Sequence, residues 1–213
     1  MDVVTLIVQG LGTLAWPAVV AFVLWTFRAS LGTLLTSGTV SVKAGGVEIS
    51  TTARAEATTA LQDAAAAKST PMDATTARSR VDASAAVLSG RTAPPRVLWV
   101  DDRPSGNRLE RETLLRLGMV VEEATSTTEA LAVVMRSAPF DVVVSDMTRD
   151  EGAGPSPLAG IALLQALRTA GVQTPFVVYS GSAGYDQAIA AGALGCTDRP
   201  AELLTLIIQA LRR

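Results

Sequence analysis

Four stretches of this 213-residue chain run from apolar residues into side chains that can do chemistry. Val97-Leu98-Trp99-Val100 leads to Asp101-Asp102, Val142-Val143-Val144-Ser145 to Asp146, Val177-Val178-Tyr179 to Ser180, and Cys196-Thr197 to Asp198-Arg199-Pro200. The apolar parts are rich in β-branched and aromatic residues, the composition of buried strands. If those strands lie parallel and side by side, Asp101, Asp102 and Asp146 converge on one crevice. Bare, they would repel one another, so they imply a bound divalent cation or at least one protonated acid. An oxygen-only ligand set favours Mg2+. The chain has no His, which excludes imidazole metal sites and Ser-His or Cys-His nucleophilic machinery. Cys196 is the only cysteine, which forbids an internal disulfide or a CxxC motif and agrees with a reducing compartment. With 20 acidic against 18 basic residues and a pI near 5.2, there is no basic footprint for nucleic acid.

The elements that must position these groups alternate from Arg96 onward. Strands are expected at Val97–Val100, Met119–Ala124, Asp141–Ser145, Pro175–Tyr179 and Gly195–Thr197. Between them come a helix from Asn107 to Leu117, one opened by the capping box Ser126-Thr127-Thr128-Glu129, one marked by Ile161, Leu164 and Leu167, and a short one from Tyr185 to Ala191. A last helix presents Leu203, Leu204, Ile207, Ile208 and Leu211 on one face. Such alternation predicts an α/β fold with a doubly wound, five-stranded parallel sheet, whose site forms outside the carboxyl ends of the strands. A cradle for an anionic cofactor is disfavoured, because the loop after the first strand offers two acids where such a cradle needs backbone amides.

Ahead of this domain, Val3 to Phe27 runs 25 residues without a charge, long enough to cross a bilayer. The mean hydropathy of the chain, +0.33, reflects it. Residues 1–30 are therefore expected to form a single-pass transmembrane anchor. Arg28, Lys43 and Arg54 follow the run and no basic residue precedes it, which places the amino terminus outside and the remainder in the cytoplasm, at the inner membrane. In the juxtamembrane segment 31–50, Thr39–Lys43 and Val47–Ser50 alternate around Ala44-Gly45-Gly46, which predicts a small β-hairpin and, through it, possible self-association into a homo-oligomer. Residues 51–95 hold 14 Ala, 8 Thr and 4 Ser with few large aliphatics, which reads as a flexible linker spanning roughly 35 to 40 Å.

Over 96–213 the sequence resembles the receiver domain of two-component response regulators. Val97-Leu98-Trp99-Val100-Asp101-Asp102 is similar to the family's acidic first strand, Asp141–Met147 to its phosphoacceptor strand, Val177–Gly181 to its hydroxyl-bearing strand, and Gly192-Ala193 with Asp198-Arg199-Pro200 to its closing segment. The resemblance implies a flavodoxin-like sheet of order 2-1-3-4-5. It implies that Asp146 accepts a phosphoryl group from a histidine kinase or phosphotransfer protein. Asp101, Asp102, Asp146 and the Thr148 backbone carbonyl would hold Mg2+, and Ser180 and Arg199 would contact the phosphoryl group. The chain departs from the pattern in three places. Arg199 stands for the usual Lys, and 96–213 contains no lysine; Cys196 stands at the switch aromatic; and residues 148–157 form a longer loop than usual. The expected function is a membrane-anchored phosphorelay receiver that signals through protein contacts or its own membrane assembly, not an enzyme acting on an external substrate and without a DNA-binding output domain. The alternative is a pseudo-receiver that is never phosphorylated and serves as a docking or oligomerisation module.

Overall fold

The computed structural model describes residues 40–43, 46–152, 154–181 and 184–213. The apolar run Val3–Phe27 lies outside the described residues, and no described helix is long and apolar enough to cross a membrane. Val40–Lys43 (β1) and Gly46–Ile49 (β2) pair antiparallel, with Val40 opposite Ile49, as the alternating pattern predicts. An isolated two-stranded hairpin is marginally stable. This one is tied to the following domain: Val47 and Ile49 are buried in its core, and the Val47 N–H donates to the Arg91 carbonyl at 3.0 Å.

The flexible linker expected over 51–95 is not what forms. Ser50 caps helix Thr51–Ala67 (α1), accepting from the Ala53 N–H at 3.1 Å, and Asp73 caps helix Ala74–Leu88 (α2), accepting from the Thr76 N–H at 2.9 Å. The buried positions are Ala53, Ala57, Ala60, Leu61, Ala64 and Ala65 in α1, and Ala77, Val81, Ser84, Ala85 and Leu88 in α2. They recur at helical spacing, so each helix carries a stripe made mostly of methyl groups. Alanine is the best helix former and its small side chain permits close approach of a neighbouring helix; the few larger side chains, Leu61 in α1 and Val81 and Leu88 in α2, are fully buried among them. α1 stops in a Schellman arrangement: the Ser69 N–H donates to the Ala66 carbonyl and the Thr70 N–H to the Ala65 carbonyl. Ser69 adopts the left-handed conformation, φ 56°, that usually calls for glycine.

The sheet and its helices follow. Arg96–Val100 (β3), a 3₁₀ turn at Pro104–Asn107, Arg108–Arg116 (α3), Val120–Ala124 (β4), Thr127–Arg136 (α4) and Val142–Ser145 (β5) come first. The long loop after β5 folds into a two-residue ribbon, Arg149–Asp150 (β6) against Pro155–Ser156 (β7). Ala159–Thr169 (α5), Phe176–Tyr179 (β8), Tyr185–Ala190 (α6), Gly195–Thr197 (β9) and Pro200–Ala210 (α7) complete the chain. The five main strands are all parallel in the order β4-β3-β5-β8-β9, which is the expected 2-1-3-4-5.

Period-two alternation splits the core between the two faces of the sheet. Val97, Trp99, Val142, Val144, Val177 and Tyr179 face α3 and α7, and the buried stripes of α1 and α2 join that same cluster. Leu98, Val100, Val143, Phe176 and Val178 face α4, α5 and α6. The α1–α2 pair packs over α3 and α7, fastened by Arg116 to Glu56 at 2.7 Å and by Arg80 to the Thr205 hydroxyl at 2.9 Å. β1 through α7 therefore form one unit.

If the methyl stripe seats α1, adding bulk on it must force the helices apart. Ala57→Leu, at a fully buried position, is expected to lower unfolding stability by about 1–3 kcal/mol. Ala55→Leu, on the exposed side, should stay within about 0.5 kcal/mol. Chemical denaturation of both variants checks this; equal, negligible effects would restore the tether.

Candidate functional site

Asp101 and Asp102 follow β3, and Asp146 follows β5. These strands are neighbours in parallel register, Val100 opposite Ser145, so the three acids leave the sheet at the same edge. One carboxylate oxygen from each lies within 4.8 Å of the others. Asp101 is 5% exposed and accepts hydrogen bonds from the Arg103 N–H at 2.7 Å and from the Asn107 side-chain amide. Asp146 Oδ1 accepts from the Met147 N–H at 2.6 Å. Asp102 Oδ2 accepts from the Asp150 N–H at 3.1 Å, so the β6–β7 ribbon reaches the cluster. Asp102 Oδ1 is buried and has no hydrogen-bond partner among the described residues. A buried carboxylate oxygen left bare is costly, and three hard oxygen donors around it suit a divalent cation such as Mg2+.

Behind the cluster stands a residue the sequence reading did not single out. Arg149, 1% exposed, donates to the Ser145 hydroxyl at 2.5 Å, the Asp146 carbonyl at 2.7 Å, the Ala159 carbonyl at 3.0 Å and the Thr127 hydroxyl at 3.1 Å, and pairs with Glu151 at 3.1 Å. Burial lowers its affinity for the proton, while Glu151, then Asp146 and Asp102, oppose that loss. Glu151 also accepts from the Thr127 N–H at 2.8 Å, at the start of α4. The loop between β5 and α5 is thus pinned to the strand that carries Asp146. Its return is equally close: a Cβ at Gly160 would meet the Asp146 carbonyl at 2.8 Å, so glycine is required there.

Beside Asp146 lies a cavity of about 320 Å³ lined by Asp146, Tyr179, Ser180, Gly181, Asp198, Asn107 and Lys68. Tyr179 packs edge-to-face on Trp99 at 5.8 Å and donates its hydroxyl to Glu110 at 2.7 Å. Burial and then the Glu110 charge push its ionisation far above the usual tyrosine range, so it remains a donor. The structure thus brings Asp101, Asp102, Asp146 and Ser180 together. It does not bring in Arg199, whose guanidinium turns to Glu202 at 3.3 Å with its side chain 60% exposed. Cys196 is half-buried, its Sγ 3.8 Å from the Tyr185 carbonyl, and burial, with Asp186, pushes its thiol up. The Thr148 hydroxyl lies 3.4 Å from the Pro157 carbonyl.

The response regulator receiver domain model matches residues 97–207. The chain belongs to the response regulator receiver family. The receiver is also similar to solved structures: the receiver domain of a Francisella response regulator (24% identity, 56% of this chain and 98% of that one, TM-score 0.49), the chemotaxis response regulator CheY4 of Vibrio cholerae (29%, 56% and 100%, 0.47) and a LuxR-family two-component response regulator from an Aurantimonas species (29%, 56% and 86%, 0.47). None of the curated proteins matches the chain.

Because Arg149 satisfies so many buried acceptors at once, its loss should unfold the rim of the receiver. Arg149→Met is expected to cost about 3 kcal/mol or more, measured by chemical denaturation; a loss under about 1 kcal/mol would show that the guanidinium is not what pins the loop.

Proposed function

We propose that this receiver accepts a phosphoryl group on Asp146 from the phosphohistidine of a kinase or phosphotransfer protein. The observation that carries the reading is the cluster itself: three carboxylates within 4.8 Å, one of their oxygens buried and unpartnered, beside a cavity lined by a hydroxyl. Asp146 Oδ1 is held by the Met147 N–H, which leaves Oδ2 to attack phosphorus. The new O–P bond forms as the P–N bond breaks, and its electron pair leaves with the donor nitrogen, which takes a proton from solvent. The product is an aspartyl phosphate. Asp101, Asp102, Asp146 and the Thr148 backbone carbonyl are the groups that would hold Mg2+, which supplies neutralisation of the charge that gathers on the phosphoryl oxygens. The Ser180 hydroxyl donates to one of those oxygens. The domain modifies itself and turns over no external substrate.

The competing reading, a pseudo-receiver that only docks partners, draws on one observation: the Arg199 guanidinium pairs with Glu202 and stays out of the cavity. Incubation with phosphoramidate and Mg2+ separates the two. The full chain should gain one phosphoryl mass, Asp146→Asn should gain none, and EDTA should suppress the gain at least tenfold. A wild-type chain that never gains the mass, from small donors or from a kinase, would be a docking module.

The reading places the protein at the inner membrane, with Val3–Phe27 as the anchor and the receiver on the cytoplasmic side, and with signalling through protein contacts or its own assembly there. The uncharged run and the basic residues that follow it, Arg28, Lys43 and Arg54, support this. After lysis the chain should sediment with membranes and resist extraction by carbonate, and deletion of residues 1–30 should release it to the supernatant; a full chain recovered in the soluble fraction would remove the anchor.

A further inference from the structure

The cavity beside Asp146 takes its lysine from outside the α/β sandwich. Lys68 ends α1, and it is one of two lysines in the chain; the other, Lys43, lies in β1. From there Lys68 reaches across to the receiver. Its Nζ donates to Asn107 Oδ1 at 2.8 Å, lies 3.9 Å from Glu110 Oε1, and sits 5.5 Å above the Tyr179 ring. Asn107 donates in turn to Asp101, so the ammonium is joined through one amide to the acidic cluster. The turn that ends α1 directly after Lys68 holds Ser69 at φ 56°. A non-glycine residue keeps that conformation only where its surroundings impose it.

A phosphoryl group on Asp146 would replace the single carboxylate charge with close to two on its outer oxygens, set further into this cavity, and they require a cation and donors within reach. The arginines nearby are committed elsewhere. Arg149 is spent on backbone carbonyls, hydroxyls and Glu151. Arg199 pairs with Glu202, and Arg103, 81% exposed, lies 3.9 Å from Asp102. Lys68 is the cation that lines the cavity with Asp146 and Ser180. Its compact ammonium on a flexible stem can exchange the Asn107 oxygen for a phosphoryl oxygen by rotating within the same space.

We propose that Lys68 binds the phosphoryl group on Asp146, so that phosphorylation fastens the α1–α2 helical pair to the receiver through an ionic contact between them. The assignment rests on Asp146 being the acceptor. It makes the helical pair the element that senses the modification, and by reciprocity whatever pulls α1 away from α3 destabilises the phosphorylated state to the same degree.

The test uses the full chain with Mg2+, the phosphoryl mimic beryllofluoride, and phosphoramidate. In Lys68→Met, beryllofluoride should bind at least tenfold more weakly and phosphoryl transfer should slow by a similar factor. Lys68→Arg should recover part of the loss, and Arg199→Ala should stay within about twofold of wild type. In wild type, beryllofluoride should slow amide hydrogen exchange over residues 61–73, a readout that needs no variant to fold. Equal binding by wild type and Lys68→Met, or a loss confined to Arg199→Ala, overturns the Lys68 assignment and leaves Asp146 as acceptor. No exchange protection over 61–73 overturns the fastening. A wild type that takes neither phosphoryl nor beryllofluoride overturns the acceptor reading and this inference together.

Discussion

Three negative charges crowded at the ends of two adjacent parallel strands must be compensated, and the surrounding structure is organised around how that is done. The direct partners are almost all dipoles. Backbone amides of Arg103, Met147 and Asp150 and the amide of Asn107 point at the carboxylates, and none of them brings a full charge. The one buried guanidinium among the described residues, Arg149, grips the Asp146 carbonyl and the loop that returns to Gly160. It feels Asp146 and Asp102 electrostatically but stabilises the backbone that carries them. Dipoles can orient acids at close range without neutralising them. The arrangement therefore fixes the geometry of the cluster and leaves most of its charge uncompensated by the protein.

Much of this was legible from the residues alone, for a definite reason. A buried parallel strand must be apolar on both faces, so Val97–Val100, Val142–Ser145 and Phe176–Tyr179 stand out as short β-branched runs, and any acid or hydroxyl directly after them lies at the carboxyl edge of the sheet. Those runs carry the fold class and the convergence of Asp101, Asp102, Asp146 and Ser180, while the strand order followed from the resemblance to receiver domains. Arg149 was not legible, because its role depends on a loop folding back so that a surface-type residue ends 1% exposed. The direction of Arg199 was not legible either, because the match of a motif position says nothing of where a long side chain points, and Glu202 one turn on offers it a partner.

The larger miss, residues 51–95, has a separate origin. Hydrophobic periodicity stands out in Leu, Ile, Val and Phe, whereas α1 expresses it largely in alanine. A composition of Ala, Thr and Ser is shared by flexible linkers and by helices that pack closely, and the two are distinguished by spacing, not content. Ala53, Ala57, Ala60 and Ala64 keep the spacing, with Leu61 as the single bulky anchor. The position of Lys68 depends on the same point: a residue in a tether has no reason to be near a site, whereas one at the end of a docked helix has a fixed address. The absence of lysine between 96 and 213 is thereby offset by structure contributed from upstream.

The layer formed by α1 and α2 also has a bearing on how the chain is made. α2 rests on α7, and Arg80 reaches Thr205 across 125 residues of sequence. α1 can dock on α3 early, but α2 lacks its seat until α7 has been made, a wait on the order of ten seconds at ordinary elongation rates. During that interval the buried face of α2, with Val81 and Leu88, lacks the part of its cover that α7 supplies. Nascent chains stalled short of residue 200 would carry α2 more open to proteases and chaperones than chains in which α7 has formed.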